Sequence, residues 1–282
     1  MRTLGIDLAA QPENTAICVI DWPDEGGLVY ITRPQSGHDD HNLLELMKNA
    51  DAVAIDAPFG WPDFINAHLG EYATRGVWPL RPDDEGAEDW IMRLRYRETD
   101  RAVRRLLLAR KPPVKLWPLS VSSNLIAVCA WRCAALLHQH AQRPGNLFDR
   151  TGERSRVFEV YPAAALANWG LPFKGYKPGS LSSEKTKRAR QRREEIADAF
   201  AVKVPWLGRT DYAELRDELV EDDDLLDAFV CSLAARAAAI GRTVPPRTDE
   251  EQRLAASEGW IHVPQEQSLG ELCNPRVARR ET

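Results

Sequence analysis

Five acidic residues stand where carboxylates are costly unless they do chemistry. Asp7 ends the apolar run GID, Asp56 ends AVAID, and Glu159 lies inside RVFEVY. Asp224 and Asp227 open the long apolar stretch DLLDAFVCSLAARAAAI. An acid inside an apolar strand loses hydration and needs compensation. Two such acids on neighbouring parallel strands repel each other unless a cation sits between them. Asp224 and Asp227 are three apart, so they share one helix face. Each acid alone has an ordinary explanation. Asp222, Asp223 and Asp224 suit a helix start, and Asp56 before its proline suits a turn. All of them together point to a metal. Oxygen-only ligands favour Mg²⁺ or Mn²⁺ over zinc. Two such ions, with Asp7 bridging, are suited to hydrolysing a phosphodiester. Without metal, the acids are expected to hold their protons more tightly through mutual repulsion, or a lysine or arginine to stand in for the cation.

Several elements must position these acids. Residues 3–8, 14–21 and 28–33 read as an antiparallel meander with a DEGG turn before its third strand. Residues 41–49 carry apolar positions at helical spacing, and 52–56 form another apolar strand. Residues 61–84, rich in Pro, Gly and Trp, read as irregular. An Arg-rich helix is expected over 88–110, ended by KPPVK. Further helices are expected over 121–141, 184–201 and 224–240, with a strand at 156–161. The fold class is therefore α/β, with a mixed five-stranded sheet in the order β-β-β-α-β-α-β-α. The strands at 52–56 and 156–161 should run parallel to the first. One domain is expected over 1–242, with a largely helical insertion at about 61–155. Residues 243–282 should form a C-terminal extension packed on it, flexible at its end.

The composition is 44% hydrophobic and 28% charged, which excludes a disordered chain. No apolar run reaches the roughly 18 residues of a membrane span. The first residues read as a strand rather than a signal peptide, so a cytoplasmic location is expected. The five cysteines are scattered. Cys129 and Cys133, followed by His138 and His140, lack the paired spacing of a zinc finger, and core packing is the better reading.

The net charge of −5 conceals a partition. Residues 92–115 hold nine Arg/Lys against Glu98 and Asp100, and 174–193 hold eight against Glu184. Residues 211–227 hold nine acids against Arg216. Basic arms around an acidic centre suit a long polyanion, so nucleic acid is the expected partner. Arg97, Arg101 and Lys177 are candidates for phosphate contact. His262, in EGWIHVP, is a candidate general base. Oligomeric state is not legible.

The segments GIDLAA, AIDAPFGWP, RETDRAVR, FEVYPAAAL, KGYKP and DDDLLDAFVCSLAARAA resemble the family called domain of unknown function 429, across about residues 1–264. The resemblance implies a ribonuclease H fold and nuclease activity on DNA or RNA. Carried over by residue, it implies Asp7, Asp56, and Asp224 or Asp227 as metal ligands, with Glu159 as a further acid. RETDR fits the family's R-x-x-D-R pattern at Arg97, Asp100 and Arg101. Two other readings share the strand order. An actin-like phosphotransferase or ATPase acting on a small molecule would need Gly-rich phosphate loops, whereas Asp7 is followed by Leu-Ala-Ala. An inactive nucleic-acid-binding relative would have lost a carboxylate, and all five are present.

Overall fold

From Thr3 to Asp7 every residue is buried, the pattern of a strand covered on both faces. This strand, β1 (Arg2–Asp7), is the centre of a five-stranded sheet in a computed structural model that describes residues 1–23, 29–178, 183–204, 206–207 and 212–273. The other strands are β2 (Ala16–Asp21), β3 (Tyr30–Ser36), β4 (Ala52–Asp56) and β5 (Val157–Glu159). Their order is β3-β2-β1-β4-β5. β1, β2 and β3 are antiparallel neighbours, whereas β4 and β5 run parallel to β1. The architecture is thus α/β with the expected mixed sheet. β3 extends through Pro34, which an edge strand tolerates because one of its sides needs no ladder hydrogen bonds. The expected DEGG turn lies outside the described residues.

The chain divides into two compact units. The first comprises Met1–Asp56, Arg156–Pro245 and the described residues from His262 on. It contains the sheet, α1 (Asp40–Lys48), α6 (Pro162–Asn168), α7 (Ser183–Lys203), α8 (Tyr212–Glu221) and α9 (Asp223–Ala239). The second comprises Ala57–Ser155 and Pro246–Ile261. It contains α2 (Asp63–Arg75), α3 (Ala87–Arg95), α4 (Glu98–Leu108), α5 (Ile126–Ala141) and α10 (Asp249–Glu258). Residues 243–282 are therefore not one extension. Val244 and His262 donate backbone bonds to Val263 and Glu159 in the first unit. Arg105 ties α10 to α4 in the second through Glu251, at 2.7 Å. Residues 274–282, expected to be flexible, lie outside the described residues.

Helix α9 organises the first unit. Every residue from Leu226 to Ala237 is buried, and the helix packs on β1, β2 and β4. Its Leu and Phe side chains each contribute about 1.5–3 kcal/mol through burial. Gly5 permits the close approach of helix to strand. A Cβ there would lie 2.1 Å from the Ala228 carbonyl oxygen and 2.2 Å from the Ser232 nitrogen. Thr3 Oγ1, 2.8 Å from Ser232 Oγ, also accepts a bond from Trp22 Nε1 at 2.9 Å.

Two expectations in the second unit need correction. Residues 61–84 are not wholly irregular, since they include α2. The helix expected over 88–110 is two helices. Arg97 takes extended backbone and caps α4, with Asp100 accepting its backbone N–H at 3.0 Å. Cys129 and Cys133 are buried in α5, in keeping with core packing. Among the described residues no helix is long and apolar enough to cross a membrane.

Candidate metal centre

Asp7 and Asp56 are the last residues of β1 and β4, paired in parallel register. Paired residues on neighbouring strands share a face of the pleat. Gly5, two residues before Asp7, contacts α9, so both acids point toward that helix. Helix α9 brings the third acid. Asp222 caps it by accepting from Asp224 N at 2.9 Å, and its second turn presents Asp227. Asp7, Asp56 and Asp227 each place a carboxylate oxygen within 4.8 Å of the others. Asp227 is 0% exposed and Asp7 9%.

Burial is the main force on these groups. It raises the Asp7 pKa well above the usual carboxylate value, with Asp227, Asp56 and Asp224 adding repulsion and Lys177 opposing. Burial likewise lifts Asp56 to about 7, with Lys177 again opposing and Asp227 and Glu159 reinforcing. Asp224 is raised by burial and then by Asp223. In each case desolvation is a larger cause than repulsion between the acids.

A lysine sits against the cluster. Lys177 Nζ lies 2.5 Å from Asp227 Oδ2. Burial pulls the lysine pKa down, and Asp227, Asp7, Tyr176 and Asp56 together more than reverse that. Tyr176, beside it in sequence, donates to Asp227 Oδ1 at 2.9 Å. Arg193 holds this turn in place. Its buried guanidinium donates to the carbonyls of Tyr176 and Val220, both at 2.7 Å, and of Glu221 at 3.1 Å.

The expected site residues do not all converge. Asp224 is close enough for its charge to act on Asp7, but it is not one of the three clustered acids. Glu159 pairs in register with Ile55, so the pleat turns it to the face opposite Asp56. Lys177, expected on phosphate, instead sits on Asp227. Arg97 does not fit a phosphate ligand. It is 2% exposed, pairs with Asp100 at 2.9 Å and donates to the Glu258 carbonyl at 3.1 Å. Arg101 pairs with Glu98 at 2.7 Å. His262 is buried against Phe158, with Nδ1 3.2 Å from Thr243 Oγ1 and its backbone N–H on the Glu159 carbonyl at 2.8 Å; the clustered acids are Asp7, Asp56 and Asp227. Sequence reasoning missed Tyr176 and Arg193. The signal for Tyr176 was its place in KGYKP, whereas Arg193 was hidden in a basic run.

The basic segments are largely paired within their own surroundings. Arg188, Arg190 and Arg192 meet Glu184, Glu194 and Glu195 along α7. In the other segment Arg93 pairs with Glu85, and Arg105 with Glu98 and Glu251.

No curated protein and no solved structure matches the chain. The model of one family, described as protein of unknown function (DUF429), matches residues 5–251. With most of its length covered, and with the clustered acids Asp7, Asp56 and Asp227 inside the match, the chain belongs to the DUF429 family.

Proposed function

We propose that this protein is a metal-dependent nuclease that hydrolyses phosphodiester bonds of DNA or RNA on a ribonuclease H-like fold. One observation carries the reading. Three carboxylates from three separate elements meet within 4.8 Å, largely buried, with Lys177 set against them. Buried like charges are costly, and chains keep them together where a cation is to be held. The strand order, with three antiparallel strands followed by two parallel ones, supports the fold part of the reading.

The donor set fits Mg²⁺ or Mn²⁺, since it is all oxygen and all carboxylate. Asp7, Asp56 and Asp227 would hold the metal, in our reading two ions. Asp7 is the acid on which Asp227, Asp56 and Asp224 all add repulsion, so it would gain most from divalent charge. Bound there, divalent charge would favour attack of water on phosphorus and departure of the leaving oxygen. The chain's own contribution is to fix the acids. The β1–β4 register sets Asp7 against Asp56, and Tyr176 orients Asp227. Metal binding must displace the protons held on Asp7 and Asp56, so affinity should rise with pH.

The test is cleavage of labelled DNA and RNA, as single strand, duplex and junction, with Mg²⁺ or Mn²⁺ and with chelator. Metal-dependent cleavage that Asp7→Asn abolishes is the expected result. Binding of nucleic acid without cleavage of any substrate would favour an inactive relative. Absence of metal binding even at millimolar Mn²⁺ would remove the basis of the reading.

A further inference from the structure

Asp227 has a hydrogen-bond donor on one oxygen and an ammonium against the other. Tyr176 donates to Oδ1 at 2.9 Å, and Lys177 Nζ lies 2.5 Å from Oδ2. A carboxylate oxygen can keep the tyrosine hydrogen bond and still ligate a metal, but a metal ion and an ammonium on Asp227 repel each other, so these two compete. The two partners are not equally free to leave. Tyr176 is 4% exposed, and its carbonyl is clamped by the buried Arg193. The Lys177 side chain is 48% exposed and flexible, so its ammonium can move into water.

We infer that Lys177 is an internal counter-ion that exchanges with the metal: its ammonium neutralises Asp227 in the metal-free protein, and a divalent ion displaces it. The inference rests on the metal site proposed above. In it, Tyr176 stays in place and keeps the Asp227 carboxylate oriented beside Asp7 and Asp56. Lys177 is a competitor, present to keep the acids folded together until metal arrives. Its cost is weaker metal binding, because the metal must break one close ion pair.

The experiment measures Mn²⁺ affinity by calorimetry for wild type, Lys177→Met and Lys177→Arg. Lys177→Met removes the competitor while keeping an apolar stem, and should bind Mn²⁺ at least tenfold more tightly. It should also melt lower than wild type in chelator and regain more on adding Mn²⁺. Lys177→Arg restores a cation at Asp227 and should bind no more tightly than wild type. A readout on the unmodified protein guards against a Met variant that fails to fold. Labelling of Lys177 with an amine reagent, read on its peptide by mass spectrometry, should rise when Mn²⁺ saturates the site. If Lys177→Met binds Mn²⁺ no more tightly than wild type, or Lys177 labels equally with and without Mn²⁺, the exchange is overturned while the metal site stands. If neither wild type nor Lys177→Met binds Mn²⁺, the metal site falls and takes the exchange with it.

Discussion

Each unit of the molecule buries a cluster of charged groups, and the two clusters are built differently. In the second unit Arg97 faces Asp100 through two nitrogens, at 2.9 and 3.3 Å. Beside them Glu258 accepts from Asp63 N at 2.8 Å and from Glu98 N at 2.6 Å. Those nitrogens begin α2 and α4, where a carboxylate meets the positive end of a helix dipole. Burial pushes Glu258 up too, but these backbone donors and Arg97 oppose it. In the first unit Asp7, Asp56 and Asp227 share, among the described residues, the ammonium of Lys177. Burial alone does not separate the two clusters; compensation does. A cluster that satisfies its own charges serves the fold, whereas one left with excess charge of one sign is set up for something the chain itself does not supply.

The contrast breaks most sharply at Asp7 and Arg97. Asp7→Asn should reduce cleavage to background while raising the melting temperature of the metal-free protein, because it deletes a buried carboxylate among like charges. Arg97→Ala should do the reverse. It leaves Asp100 buried without its partner, which costs about 3–5 kcal/mol, and activity per folded molecule should persist. Thermal melts and cleavage rates normalised to folded protein check both. An Asp7→Asn protein that melts lower than wild type in chelator would mean the acids are compensated after all.

A smaller effect should appear in pH dependence. Folding raises Asp56 from 3.8 to about 7. Between those values the folded chain keeps a proton that the unfolded chain has released, so stability falls as pH rises through the window. Asp7 acts in the same direction. In chelator, wild type should therefore lose stability between pH 5 and pH 7.5 relative to Asp56→Asn, and saturating Mn²⁺ should remove the difference. Urea melts at the two pH values measure it. Equal pH dependence in the two proteins would show that Asp56 ionises normally.

The same contrast explains what the sequence disclosed. The acids Asp7 and Asp56 were legible because a carboxylate ending an apolar strand is rare without a reason, and β1 and β4 lie as adjacent parallel strands. Helix α9 was legible from its Ala/Leu content, within one residue at each end. Glu159 misled because its place in the pleat depends on register with β4, which one strand cannot reveal. RETDR misled because Arg97 and Asp100 satisfy each other locally, and an internal ion pair reads in sequence like an exposed basic patch. Helix α10 escaped notice in a charge-rich tail, although Thr248 and Glu251 form a capping box that opens it.

The smallest expected effect concerns the arginines of α7. Residues 174–193 carry a large positive charge, but Glu194 and Glu195 follow directly. Arg190 pairs with Glu194 and Glu221, and Arg192 with Glu195. All five groups are substantially exposed, where such pairs contribute about 0–1 kcal/mol each. Arg190→Ala with Arg192→Ala should thus change stability little. If the carboxylates keep these arginines, the salt dependence of nucleic-acid binding should also stay unchanged. If the arginines contact phosphate instead, the log–log slope should fall by about 0.7–0.9 for each one removed. A fall of that size would show that the pairs open on binding and that α7 carries part of the polyanion surface. An unchanged slope would place phosphate recognition away from these two arginines.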